Sequence, residues 1–157
     1  MIPIDHLTRV SSASIHVLAA SEPLETDIRR TKEAGIKVFQ LDGASILSQR
    51  DLLDTVSKVM HFPGYFRMNL NALVDCLGDL SWVPSSGYLL VLERASVFAS
   101  NDSHLFRTFL EILARSSEEW ARRHVTFHVL LVADYPFGLG QLDFLGDQVC
   151  DHTVPGR

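Results

Sequence analysis

Several residue types are scarce in this 157-residue chain, and each scarcity excludes a class of protein. Two cysteines, Cys76 and Cys150, are too few for a disulfide scaffold at this length. Cys76 lies between Asp75 and Leu77 in a helical apolar pattern and reads as a small buried hydrophobe, so a bridge to Cys150 is not expected. Glycine (9) and proline (6) are too sparse for a low-complexity chain, and 46% hydrophobic residues is too many for a disordered one. Long apolar runs are missing. Gly87-Tyr-Leu-Leu-Val-Leu92 is of strand length, so no membrane span is expected. The opening Met1-Ile-Pro-Ile-Asp-His has no basic stretch leading into an apolar one, which predicts no secretory leader and a cytoplasmic protein. A basic excess is also lacking. Fourteen Lys and Arg against nineteen Asp and Glu give a net charge of −5, which argues against a nucleic-acid partner. Much of that acidity sits at residues 134–157, where Asp134, Asp143, Asp147 and Asp151 face Arg157 alone.

The length suits one globular domain spanning 1–157, long enough to bury roughly 70% of its unfolded surface. Ser14 to Ala19 reads as a strand. A polar helix opening at Pro23 carries Glu25 and Asp27 early and Arg29, Arg30 and Lys32 late, the order a helix dipole favours, and stops at Gly35. Lys37 to Leu41 is a second strand, so the chain starts β-α-β and predicts parallel pairing. If the first strand joins the sheet, it is expected to add an edge. Ser48 caps a further helix, with Leu47 and Leu52 placed for a hydrophobic staple. Asn69 caps a short helix to about Leu80 whose Leu70, Leu73, Leu77 and Leu80 share one face. Tyr88 to Glu93 reads as a strand covered on both sides. The longest helix follows the caps at 101–103 and ends near Arg123, with Trp120 facing inward, and residues 125–132 form the last clear strand. Residues 134–157 carry Phe137, Leu139, Leu142, Phe144 and Leu145 and are expected to fold back on the body.

Catalytic patterns are weak. H-E-x-x-H, G-x-S-x-G and G-x-x-x-x-G-K-[ST] do not occur, and Gly138-Leu-Gly140 lacks the third glycine of a dinucleotide fingerprint. Of seven histidines, His124 and His128 are four apart at a strand start, too far apart for a helical zinc pair, and read as a helix-end and a strand residue. No cofactor and no metal are expected. An enzyme would need a pocket joining His16, His128 and a carboxylate.

One segment is specific: Phe62-Pro-Gly-Tyr-Phe-Arg-Met-Asn-Leu-Asn-Ala-Leu-Val-Asp-Cys-Leu-Gly-Asp-Leu-Ser-Trp82. It resembles the signature of the barstar family, the intracellular inhibitors of secreted ribonucleases. Pro63, Tyr65, Phe66, Asn69, Leu70, Ala72, Leu73, Asp75, Cys76 and Leu77 all match that pattern at fixed spacing. The resemblance covers about residues 36–133 and leaves an N-terminal β-α extension, 1–35, and a C-terminal extension, 134–157. It implies an α/β fold, a small parallel sheet flanked by helices. It also implies a role as a ribonuclease inhibitor or immunity protein, not an enzyme: a protein that neutralises a toxin by plugging its active site, with carboxylates standing in for substrate phosphates. The structural part of the motif falls on Pro63, Asn69, Leu73, Cys76 and Leu77. The partner-binding part falls on Tyr65, Arg67, Met68, Asn71, Val74, Asp75 and Asp79, with Val74 expected to be exposed. This chain departs from the family pattern at Asn71, where an aspartate is usual, at Val74, usually aromatic, and at Arg67, usually glycine. Arg115 falls where the founding inhibitor is acidic. Residues 36–133 hold ten acids against nine bases, a poor match to a strongly basic ribonuclease. Two expectations follow: an inhibitor aimed at a different toxin, with Arg67 and Arg115 meeting acids on it, or a regulatory or scaffolding module that keeps the fold without inhibiting a nuclease.

Overall fold

The structure, a computed structural model, describes residues 2–20, 24–134 and 142–153. Five strands, β1 (Ile15–Ala19), β2 (Lys37–Asp42), β3 (Gly87–Glu93), β4 (Thr126–Ala133) and β5 (Val149–Asp151), form one sheet in the order β2-β3-β4-β1-β5. Every neighbouring pair is parallel, as the β-α-β opening predicts. The fold is thus a small parallel α/β sheet flanked by helices. β1 does join the sheet, but inside it, between β4 and β5, and not at its edge. The added edge is β5, a strand not anticipated from the sequence because three residues are too few to show a period.

Alternation along the strands sorts the core into two layers. Ile15 and Val17, Tyr88, Leu90 and Leu92, and Phe127, Val129 and Leu131 face a large apolar layer. That layer is closed by α3 (Gln49–Val59), α4 (Leu70–Asp79), α5 (Ala95–Asn101) and α6 (Ser103–Arg122). Leu18, Leu89, Val91, Leu130 and Val132 face a thinner layer under the short α1 (Asp5–Thr8) and α2 (Leu24–Glu33). β3 and β4 are buried along nearly their whole length, which explains the continuous apolar run of β3 and the mostly apolar one of β4, where only Thr126 and His128 are polar. Each fully buried Leu or Phe here contributes about 1.5–3 kcal/mol of burial. The two cysteines are free. Among the described residues, no helix is long and apolar enough to cross a membrane.

Helix starts follow their caps. Ser48 accepts from Asp51 N at 3.2 Å, Asn69 from Ala72 N at 2.8 Å and Asp102 from Leu105 N at 2.9 Å. Leu47 is 64% exposed, so it does not close the expected staple over buried Leu52. Asp27, in the first turn of α2 as the charge order suggested, is buried and accepts from Ile2 N at 3.2 Å, which fastens the N-terminal segment to α2. Helices α1 and α5 were not evident in the sequence. α1 is a single turn, and α5 starts from Arg94 at φ 50°, with no side-chain cap to announce it. Gly87 is required by packing: a Cβ there would lie 2.1 Å from Thr126 Oγ1 and 2.5 Å from Ile36 Cδ1. The C-terminal segment does fold back: Leu145 is buried, and Leu142, Phe144 and Val149 pack on the large layer. Phe137, Leu139 and the Gly138-Leu-Gly140 fragment lie outside the described residues, as does Pro23.

Candidate functional site

The loop and helix at 62–80 form a surface held from below. Phe62 packs edge-on against Phe66, 4.9 Å between ring centres, and against Trp82, 5.7 Å. The Trp82 indole N–H donates to Met60 O at 2.9 Å. Phe66 N donates to Pro63 O at 2.9 Å, a turn with Gly64 and Tyr65 at its tip. With Phe66 turned in, its neighbours Tyr65, Arg67 and Met68 turn out. Tyr65 is 67% exposed and Met68 48%.

α4 then buries Leu73, Cys76 and Leu77 and exposes Asn71, Asp75 and Asp79, the division that helical spacing dictates. Val74 is a correction: it is half-buried against the large layer, not exposed. Leu70 is also half-buried, and Leu80 lies just past the helix, buried, at φ 48°. The last carbonyls of a helix lack intrahelical donors, and here α6 and the residue that ends it supply them. Trp120 Nε1 donates to Leu77 O at 2.8 Å, and Arg123 Nη2 donates to Gly78 O at 2.8 Å. The Arg123 guanidinium also lies 3.8 Å from the centre of the Trp120 ring. The Tyr65 hydroxyl donates to Asp79 Oδ2 at 3.4 Å, joining loop to helix. Burial, followed by the charges of Asp79 and Asp75, raises the Cys76 thiol above its usual range, so it packs as an unreactive group. Pro63 and Asn69 shape the entry to the helix. Arg115 is exposed on α6 and lines a groove of about 240 Å³ with Phe144 and Leu145 of the C-terminal segment.

A second group of side chains gathers where the sequence reading placed none. His16 on β1 and Cys150 on β5 are register partners, so they share a face. His152 follows Cys150 by two residues. On β4, Leu130 is the partner of His16, and His128 precedes it by two. All four therefore project into the thinner layer, and α1 adds His6. His16 Nδ1 lies 3.0 Å from His152 Nε2, and His16 Nε2 lies 3.0 Å from His128 Nδ1. His128 Nε2 donates to Arg9 O at 2.8 Å. Burial, and after it the neighbouring imidazoles, lowers the pKa of His16 to about 2, so the ring is a neutral base. Burial likewise lowers His128 and His152. His16 and His128 thus do meet, but imidazoles and a thiol complete the group. Asp5, on the wall of the adjoining cavity, lies 3.9 Å from Arg9. The available signal was a polar residue inside each of two strands that are otherwise apolar. His124, by contrast, is an exposed helix-end residue at φ 58°.

The sheet and the helix-borne surface define a parallel α/β protein with a polar surface facing outward at α4 and the loop before it. The family model described as Barstar (barnase inhibitor) matches residues 36–132, well over half the sequence, and the chain belongs to the barstar family. No curated protein matches the chain. Among solved structures, it is similar to the Drosophila ORC bound to AT-rich DNA and Cdc6, with 17% identity and a TM-score of 0.56 over 89% of this chain and 48% of that one. It is also similar to the Aeropyrum pernix ORC2 protein in its ADPNP-ADP complexes, with 16% identity and a TM-score of 0.58 over 88% and 41% of the two chains. The chain thus spans less than half of either structure, and at these identities the likeness is one of fold.

Proposed function

We propose that this protein binds a toxic enzyme, a ribonuclease or a related toxin, and blocks its active site with the surface formed by Tyr65, Arg67, Met68, Asn71, Val74, Asp75 and Asp79. The observation that carries the reading is Asp75. Within a barstar-family core, its carboxylate stands exposed on a helix whose opposite side is buried and whose end is tied down. A rigidly held carboxylate suits a nuclease site, where Arg, Lys and His converge to hold phosphate, and a pre-shaped surface loses little freedom on binding. The half-buried Val74 contributes shape there more than free apolar area.

The near balance of charge in the core and the substitutions at Asn71 and Arg67 favour a toxin less basic than a typical ribonuclease, because an altered face selects an altered partner. A nucleotide-dependent role has little support: between β1 and α2 the sequence reads Ala-Ser-Glu-Pro, without the glycines and lysine that cradle phosphates. The alternative is a regulatory or scaffolding module of the same fold.

The test is the full chain against toxin domains encoded beside its gene, read by calorimetry and by toxin activity. Asp75→Arg is expected to weaken binding at least about tenfold, the loss of one charge-assisted hydrogen bond. Tyr65→Ala is expected to weaken it less. Both variants should keep their melting temperatures. Undiminished binding by Asp75→Arg removes this surface from the interface, and binding without inhibition favours the scaffolding reading.

A further inference from the structure

The cluster beneath α1 has the donors, spacing and orientation of a metal site. We infer that His6, His16, Cys150 and His152 bind one zinc-class divalent cation in a tetrahedral site that clasps the N-terminal helix and the C-terminal strand to the sheet.

Four observations support this. The first is proximity: one ligand atom from each of the four residues lies within 4.8 Å of the other three. Around tetrahedral zinc, with bonds near 2.0–2.1 Å to nitrogen and 2.3 Å to sulfur, neighbouring ligand atoms are about 3.3–3.6 Å apart. His16 Nδ1 and His152 Nε2 already stand 3.0 Å apart. The widest gap must close by about an ångström, a movement open to an exposed His6 and a half-buried Cys150.

The second is tautomer control. A carbonyl oxygen only accepts, so the contact with Arg9 O places the His128 proton on Nε2 and leaves Nδ1 as an acceptor. His16 Nε2 faces that acceptor and must donate to it. His16 Nδ1 therefore carries a lone pair, which accepts from His152 Nε2 at 3.0 Å; when a cation takes this place, His152 moves its proton to Nδ1 and both facing nitrogens ligate. A ligand histidine whose second nitrogen is fixed by an outer partner is the usual construction of a metal site. Here the outer partner is a buried histidine that is in turn fixed by backbone.

The third is donor chemistry. Three imidazoles and one thiol, with no carboxylate, do not suit magnesium or calcium and do suit zinc. On binding, Cys150 releases its thiol proton to solvent and ligates as thiolate. Four protein donors leave no open position for a substrate water, so the site is structural. The fourth is access: a cavity of about 440 Å³ bounded by Asp5, His6, Arg9, His16 and Cys150 reaches the cluster.

The ligands come from α1, β1, β5 and, with His152, the residue just after β5, all outside the matched family core. β5 has three register pairs with β1, too short a ladder to hold an edge by itself. A cation bonded to both strands and to α1 would fix that edge and close a loop between residues 16 and 152.

The test uses untagged full-length protein, purified under reducing conditions without chelator. Elemental analysis should find about one zinc per chain. Exchange with cobalt alone should produce the visible bands of a tetrahedral site and a thiolate-to-cobalt charge-transfer band in the near ultraviolet. Cys150→Ser should remove the charge-transfer band, and His6→Ala, at an exposed position, should lower zinc affinity at least tenfold. Zinc should raise the melting temperature of the wild type and not that of Cys150→Ser/His152→Ala, while His124→Ala behaves as wild type. Circular dichroism of each variant separates lost metal from lost fold. Substoichiometric zinc together with no charge-transfer band overturns the proposal, as does a band unchanged in Cys150→Ser.

Discussion

The surface at residues 62–80 and the cluster under α1 use polar side chains in opposite ways. In the first, aromatic rings and the donors Trp120 and Arg123 lie beneath, while Asp75, Asp79, Tyr65 and Arg67 face solvent. In the second, His16 and His128 point into the protein, away from water, and satisfy one another. An exposed polar group costs the fold nothing and is free to meet another molecule. A buried one must be paired at home, and a pair with a lone pair to spare invites a cation. The contrast teaches that the family core turns the polar groups of this motif outward, whereas the segments added to it gather theirs inside.

Three substitutions would break or sharpen this contrast. The largest effect is expected from Trp120→Phe, which removes the donor to Leu77 O and should cost at least about 1–3 kcal/mol in urea unfolding. A loss of a few tenths would mean that the surface is not held from below. Gly78→Ala should stabilise the free protein by about 0.5–1 kcal/mol, because Gly78 is helical and an added Cβ meets nothing within 4 Å. If partner affinity falls while stability rises, the backbone at 78 lies inside the interface. The smallest effect belongs to Asp42→Asn. The hydrogen bond from Arg94 holds the Asp42 carboxyl below its ordinary range. Its contribution is complete above the unfolded value of about 3.9 and fades as pH falls through the lower folded value. The variant should therefore lose less melting temperature than the wild type between about pH 5 and pH 3, a small difference because the pair is largely exposed.

Much of the fold was legible in the sequence because its signals are local. Ser48, Asn69 and Asp102 cap the helices that their side chains suggested, and β3 shows its two-sided burial as an unbroken apolar run, β4 as one interrupted by His128. The family motif likewise placed α4 and its inward leucines. What escaped depends on distant partners. β5 exists because Ile15 to Val17 offer it a ladder, and no pattern within three residues can state that. Val74 was expected to be exposed because spacing on one helix does not say how far around it the core reaches, and here the large layer reaches Val74. The nearby histidines 124 and 128 were weighed as a ligand pair, and His16 with His128 only as what an enzyme would need beside a carboxylate; the rings of His16 and His128, 112 residues apart, do meet, but beside imidazoles and a thiol.

The strand order has a consequence for how the chain is assembled. β1 leaves the ribosome before the other strands, yet both of its neighbours, β4 and β5, are the last to be made. Until they arrive, its backbone donors and acceptors have no ladder to enter, and pairing across so long a separation is slow. β2 and β3 can pair with each other well before synthesis is finished. Of the five strands in this sheet, the earliest in sequence is therefore placed near the end, and a nascent chain arrested before residue 126 would present an orphan apolar strand to chaperones.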